Sequence, residues 1–255
     1  MTKKAKPRTT RQTFTAPPRR TSPARGPARG PARRWWQNGN LMLTVTLVVA
    51  AVIALGTFLV VDGTGSEAEP PAGATDPRLV RADSHRLDVA AGELVTLVEF
   101  LDFECESCGA AYPSVERLRK EYAGKITYVV RYFPLPGHTN AQNAAQAAEA
   151  AARQDRFEAM YTKLFDTQKE WGEARTSHAD TFAGYAEQLG LDMTRYRADV
   201  TAPDTVARVN RDKADGTDLG VQGTPTFFLN GRQLQASPTY ANLKKAVDDA
   251  LAAGS

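Results

Sequence analysis

Val95-Thr96-Leu97-Val98-Glu99-Phe100-Leu101-Asp102-Phe103-Glu104-Cys105-Glu106-Ser107-Cys108 is an apolar, β-rich run that ends in a C-x-x-C pair, and the chain has no other cysteine. The run reads as a strand that delivers Cys105 to a sharp turn. From Gly109 to Leu118 apolar residues then recur at helical spacing. Cys105 is thereby set at a helix N-terminus, where free backbone N–H groups and the positive end of the helix dipole favour a thiolate. It is the candidate nucleophile. Cys108, one turn further in, can close a small disulfide ring and attack a mixed disulfide formed at Cys105, which makes it the candidate resolving thiol.

Three other readings fit two cysteines. A structural disulfide is disfavoured because so short a loop gains little from restricting the unfolded chain. A zinc site needs further ligands, and His85, His138 and His178 show no paired ligand spacing. Two unlinked core thiols are the third reading. Redox chemistry is favoured over all three.

A distant stretch strengthens it: Val221-Gln222-Gly223-Thr224-Pro225-Thr226-Phe227-Phe228-Leu229-Asn230-Gly231. Here a proline opens a strand, where its missing N–H is tolerated, and Asn230-Gly231 supplies a hairpin turn. Together the two stretches resemble the thioredoxin superfamily and, within it, the DsbA-like extracytoplasmic thiol-disulfide oxidoreductases. The resemblance implies that the Thr224-Pro225 bond is cis and lies beside Cys105, so that Thr224 and Pro225 are candidate substrate-binding residues. It also implies that Glu99 is a buried carboxyl beneath the disulfide. Burial favours the neutral form of such a group, and Glu99 could relay a proton to or from Cys108. Pro113 resembles the family's kink proline in the active-site helix. His138 resembles a histidine that follows the next strand in many relatives, and reads as structural.

Between the cysteines, Glu106 and Ser107 stand where relatives usually have proline with an aromatic residue or histidine. They are candidate redox-tuning residues. Glu104 and Glu106 place negative charge next to Cys105, which is expected to raise its pKa and make the couple more reducing.

Charge is unevenly distributed. Residues 1–40 carry eleven Lys/Arg and no acid, whereas the rest holds twenty-one bases against twenty-nine acids. The Arg/Pro-rich tail 1–40 is expected to be disordered and cytoplasmic, with no sign of a nucleic-acid-binding module. Residues 41–61 contain no charge and are long enough to cross a ~30 Å hydrocarbon core. With Trp35 and Trp36 at the expected aromatic belt, they are predicted to form one transmembrane signal-anchor helix that leaves the folded part extracytoplasmic. Cleavage as a signal peptide is the main alternative. Residues 62–79 read as a flexible linker.

Residues 80–255 are predicted to form the catalytic unit, of α/β class: a thioredoxin fold with a helical insertion over about 138–219. A strand at 86–89 is expected to pair with 95–103. Ile126 to Phe133 alternates as a strand, parallel to the first by a crossover through the cysteine helix. Helices follow from Ala141 to Arg153, around Phe157 to Phe165, around Phe182 to Leu189 and from Pro203 to about Asp218. A hairpin strand is placed at 233–235, and a last helix starts at Ser237-Pro238.

The function implied is transfer of the Cys105-Cys108 disulfide to exported proteins with free thiols, without metal or organic cofactor. Regeneration would need a membrane oxidase of DsbB- or VKOR-like type. The rival enzymatic reading runs in reverse, as a reductase or isomerase fed by a membrane electron donor. A rival of another class is a tethered, non-catalytic binding or chaperone module.

Overall fold

The computed structural model describes residues 76–92 and 95–254. The predicted tail and transmembrane segment lie outside the described residues, as does the linker up to residue 75. Among the described residues no helix is long and apolar enough to cross a membrane.

Five strands form one sheet in the order β1-β3-β2-β4-β5: β1 (His85–Asp88), β2 (Thr96–Leu101), β3 (Thr127–Tyr132), β4 (Thr226–Leu229) and β5 (Arg232–Gln233). β2 and β3 are parallel, with Glu99 opposite Val130. β4 runs antiparallel to β2, and Glu99 faces Phe227 on that side. The strand expected to flank 95–103 is β1, but it pairs antiparallel with β3 instead. Both edges of β2 are already taken by β3 and β4, so the free edge of β3 is where β1 can complete its hydrogen bonds. The hairpin turns at Asn230-Gly231, and β5 is two residues long rather than 233–235.

Alternation along the strands sorts the two faces. Leu97, Leu101, Tyr128, Val130 and Tyr132 belong to one apolar cluster together with the cysteine helix α1 (Glu106–Glu121). Val98, Phe100, Val129, Phe133 and Phe228 belong to the cluster on the other face. Glu99 shares the register of Leu97 and Leu101, so the strand pattern itself turns a carboxyl toward the side that carries α1.

The insertion comprises α2 (Ala141–Ala152), α3 (Phe157–Asp166), α4 (Gln168–Trp171), α5 (Ala179–Gln188), α6 (Met193–Asp199) and α7 (Pro203–Asp218). In α2 the alanines at 144, 147, 148, 150 and 151 are all buried, and their small side chains allow close helix packing. Asp192 caps α6 by accepting from the Thr194 and Arg195 amides, and Pro203 occupies the first turn of α7. α7 lies against the second sheet face through Gly216, where a Cβ would come within 2.7 Å of the Phe133 ring and 2.9 Å of Phe100. The last helix, α8 (Tyr240–Ala253), begins later than Ser237-Pro238. Thr239 has the extended backbone of an N-cap and accepts from the Asn242 amide, which fixes the start.

Candidate active site

Cys105 is the N-cap of α1, with extended backbone angles, and its amide is held by the Asp102 carbonyl at 3.1 Å. Both thiols are free and buried. The Thr224-Pro225 bond is cis, and the Cys105 thiol donates to the Thr224 carbonyl at 3.3 Å. The two stretches, more than a hundred residues apart in sequence, thus meet at one sulfur.

The two thiols are strongly unlike. The Cys105 pKa is lowered to about 5, chiefly because the Cys108 thiol hydrogen-bonds to its sulfur. Burial opposes this, while the Thr224 side chain and the amides of Cys108 and Ser107 add to it. Cys108 is pushed well up, first by burial, then by donating to Cys105 and by the charges of Glu99 and Cys105. The expected rise at Cys105 is therefore overturned: the donors converging on the sulfur outweigh the neighbouring carboxylates. Glu106 is exposed at the start of α1, where solvent screens it. Glu104 is buried, and its carboxylate accepts the Asn140 amide at 2.6 Å, which makes it a fastener of the loop. Ser107 is exposed and contributes through its amide.

Glu99 is 2% exposed, in β2 behind the thiols. Burial raises its pKa to about 8, and a hydrogen bond from the Tyr128 hydroxyl only partly offsets that. A proton can therefore reside on Glu99 at neutral pH, next to a resolving thiol that must gain or lose one.

Several supporting residues escaped the sequence reading. Gln168 Nε2 donates to the carbonyls of Phe103 and Cys105, at 2.8 and 2.9 Å. Gly109 makes room for it, since a Cβ there would lie 2.0 Å from Gln168 Oε1. Asp102 accepts the Glu104 and Leu135 amides and binds His138 Nδ1 at 2.7 Å. The His138 pKa rises because the Asp102 bond, with the charges of Cys105 and Glu104, outweighs burial. Asn140 receives the His178 amide on its Oδ1 and donates to the Thr176 carbonyl. Gln168 and Asn140 lie in no motif, and Asp102 is a lone polar residue in the apolar run, so only a polar residue in an apolar context signalled these three. Pro113 lies inside α1. The three histidines make separate contacts, His85 with Glu149, His138 with Asp102 and His178 with Thr181. Among the described residues no cluster of metal-ligating side chains occurs.

The sheet order, the cysteine helix, the cis-proline loop and the helices between β3 and β4 define a thioredoxin-like fold with a helical insertion, as in DsbA proteins. A family model described as thioredoxin matches residues 91–249, and the chain belongs to that family. A thioredoxin-like oxidoreductase from Silicibacter pomeroyi shares 28% identity and superposes with a TM-score of 0.59, over 69% of this chain and 98% of that one. For alpha-DsbA1 of Wolbachia pipientis the TM-score is 0.61 at 16% identity, over 69% and 94% of the two chains, a likeness of fold alone. A curated relative, the Na(+)/H(+) antiporter NhaA 1 of Salinispora arenicola, is 43% identical over 160 residues, which are 62% of this chain and 23% of that protein. The chain spans less than a quarter of the length of the curated relatives it matches first. Ion transport is accordingly a property named for those larger proteins.

Proposed function

We propose that the protein is a thiol-disulfide oxidoreductase that passes its Cys105-Cys108 disulfide to exported proteins. The observation that carries this reading is the asymmetry of the thiol pair: a nucleophile at a helix N-terminus facing Thr224, whose lowered pKa favours its thiolate at neutral pH, and a buried partner whose thiolate is disfavoured. A substrate thiolate attacks Cys105 Sγ, the Cys105–Cys108 bond breaks, and Cys108 leaves with the electron pair. Glu99 supplies the proton that Cys108 then needs. A second substrate thiolate attacks the substrate sulfur of the mixed disulfide and expels Cys105, whose low pKa makes it a good leaving group. The substrate is left oxidised and the pair reduced. Thr224 and Pro225 form the edge against which the substrate backbone would lie.

In this reading the uncharged run 41–61 anchors the protein in the cell membrane, with the basic tail 1–40 cytoplasmic and the catalytic unit outside, held off by residues 62–79. Support comes from the charge pattern and the length of the apolar run. A DsbB- or VKOR-like membrane oxidase would restore the disulfide, and no metal or organic cofactor takes part.

Oxidative refolding of a reduced, disulfide-containing protein tests the reading. Catalysis is expected, and Cys108→Ser should trap clients as mixed disulfides through Cys105 while Cys105→Ser traps few. Insulin reduction without oxidation would assign the reverse direction. Absence of both activities would leave only a binding module.

A further inference from the structure

The turn that carries Cys105 is held from the helical insertion, and Gln168 is the side chain that reaches it. Its amide nitrogen donates to the Phe103 carbonyl at 2.8 Å and to the Cys105 carbonyl at 2.9 Å. A planar peptide unit turns as one body, so holding its carbonyl also holds the N–H at its other end. The Phe103–Glu104 unit is gripped at both ends, by Gln168 on the carbonyl and by Asp102 Oδ1 on the Glu104 amide at 2.8 Å. Cys105 is gripped in the same way. Its amide donates to the Asp102 carbonyl at 3.1 Å, and its carbonyl accepts from the Gly109 amide at 3.0 Å as well as from Gln168. Two of these holds come from one side chain in a residue that is 9% exposed, so water is poorly placed to replace them.

The backbone that carries this amide is itself anchored. Gln168 opens α4, whose other end is Trp171, fully buried and edge-on to Phe182 of α5 with ring centres 4.8 Å apart. On the other side Phe165 of α3 packs on the Phe103 ring at 5.2 Å. The Gly172 amide closes the short helix on the Gln168 carbonyl at 2.6 Å, and a Cβ at Gly172 would come within 2.8 Å of that oxygen. Opposite the side chain, in the first turn of α1, stands Gly109. A Cβ there would lie 2.0 Å from Gln168 Oε1 and 2.8 Å from its Cδ, a clash relieved by displacing the side chain. Glycine weakens a helix relative to alanine, so this notch has a cost that the contact offsets.

We propose that Gln168 is a positioning residue for the reacting thiol: it locks the Phe103–Cys105 turn from the insertion, and Gly109 is the notch that admits it. This rests on the reading of Cys105 as the attacking thiol. Two effects follow. The locked turn holds Cys105 so that the amides of Ser107 and Cys108 are directed at its sulfur. The Gln168 amide also draws negative charge from the carbonyl of the very residue that becomes a thiolate. Loss of either effect favours the protonated thiol. The insertion is thus part of the redox site, although Gln168 acts through backbone carbonyls and not on a sulfur.

Alkylation of the reduced protein against pH, with equilibration against glutathione, reads this on the protein's own cysteines and needs no client. Gln168→Ala should raise the Cys105 midpoint by about one pH unit, the equivalent of one hydrogen bond. It should also shift the glutathione equilibrium up to about tenfold toward the Cys105–Cys108 disulfide, because the reduced form loses thiolate stabilisation. Gly109→Ala, which pushes Gln168 aside, should do the same and serves if Gln168→Ala does not fold. In the double variant the two shifts should not add, since the methyl added at 109 no longer meets the amide. Gly109→Ala should then raise the melting temperature instead of lowering it. An unchanged midpoint in the folded single variants, whatever their melting temperatures, would mark the contact as packing and overturn the proposal, as would additive shifts in the double variant. A wild-type Cys105 midpoint at that of an ordinary thiol would overturn the reading of Cys105 and the proposal with it, and is seen without any variant.

Discussion

Buried carboxyl groups occur on both faces of the sheet, and the protein treats them in opposite ways. On the face that carries α1, Glu99 has a tyrosine for a partner and no cation, and its pKa rises to about 8. On the other face, Asp212 and Asp215 meet the fully buried Arg131 at 2.9 and 2.5 Å, and Arg81 adds a second guanidinium on Asp215 at 2.6 Å. Asp215 is held below its usual pKa because these arginines outweigh burial. Burial opposes the charged form in both places, and the partner decides the sign. Paired carboxylates tie β3 and α7 to the segment before β1, where Arg131 also donates to the Leu79 carbonyl at 2.9 Å. The unpaired one is left able to exchange a proton, and it is the one behind the cysteines.

The largest expected effect breaks the paired side. Arg131→Met leaves Asp212 and Asp215 buried with fewer cations and should destabilise the fold by about 3–5 kcal/mol, the range for breaking a buried ion pair from one side. Urea unfolding at neutral pH measures it. A change below ~1 kcal/mol would mean that the arginine is replaceable by packing.

Next in size is the pH dependence of the unpaired side. Between about pH 4.5, the ordinary value, and about pH 8 the folded state keeps the Glu99 proton that the unfolded state has lost. Stability therefore falls as pH rises through this window and levels off above it. Glu99→Gln removes the loss and should be more stable than the wild type at pH 9 by a few kcal/mol, with no advantage at pH 4. Asp215 and Glu149, both lowered, work in the other direction: their contribution is complete above the unfolded carboxylate range and is lost as pH falls through their depressed values. Glu99→Gln should thus keep the acid limb of the stability curve and flatten the alkaline one. Unchanged curves at both ends would refute the contrast.

Much of this arrangement is legible in the sequence. Alternation located β2 and β3 to within a residue or two, and the C-x-x-C pair next to a helical pattern placed Cys105 at an N-terminus. The Gly-Thr-Pro-Thr run marked the loop that meets it. What was hidden depends on neighbours distant in the chain. Tyr128 and Tyr161 read as core aromatics, because a buried ring has the same periodicity whether or not its hydroxyl has a partner. Gln168 and Asp102 are single polar residues whose carbonyl and amide partners are fixed only once the loops meet. The pairing of β1 depended on which edges β4 left open. The Cys105 environment was misjudged because adjacent carboxylates are visible in sequence, whereas the converging donors come from Cys108, Thr224 and backbone amides.

The smallest expected effect sharpens the comparison with a third, solvated carboxylate. Glu106 is exposed one residue from the sulfur, so Glu106→Gln should move the Cys105 titration down by only ~0.1–0.4 of a pH unit, and less in high salt, as for other screened surface charges. A shift of a full pH unit, followed by thiolate absorbance, would show that solvent does not screen it.

The asymmetry of the two thiols is tested most directly by alkylating the reduced protein across pH and identifying the modified cysteine by mass spectrometry. Cys105 should take the label, with a half-maximal rate near pH 5, while Cys108 stays unlabelled through neutral pH. Equal labelling of the two, or a Cys105 midpoint at the ~8.5 of an ordinary thiol, would contradict the account.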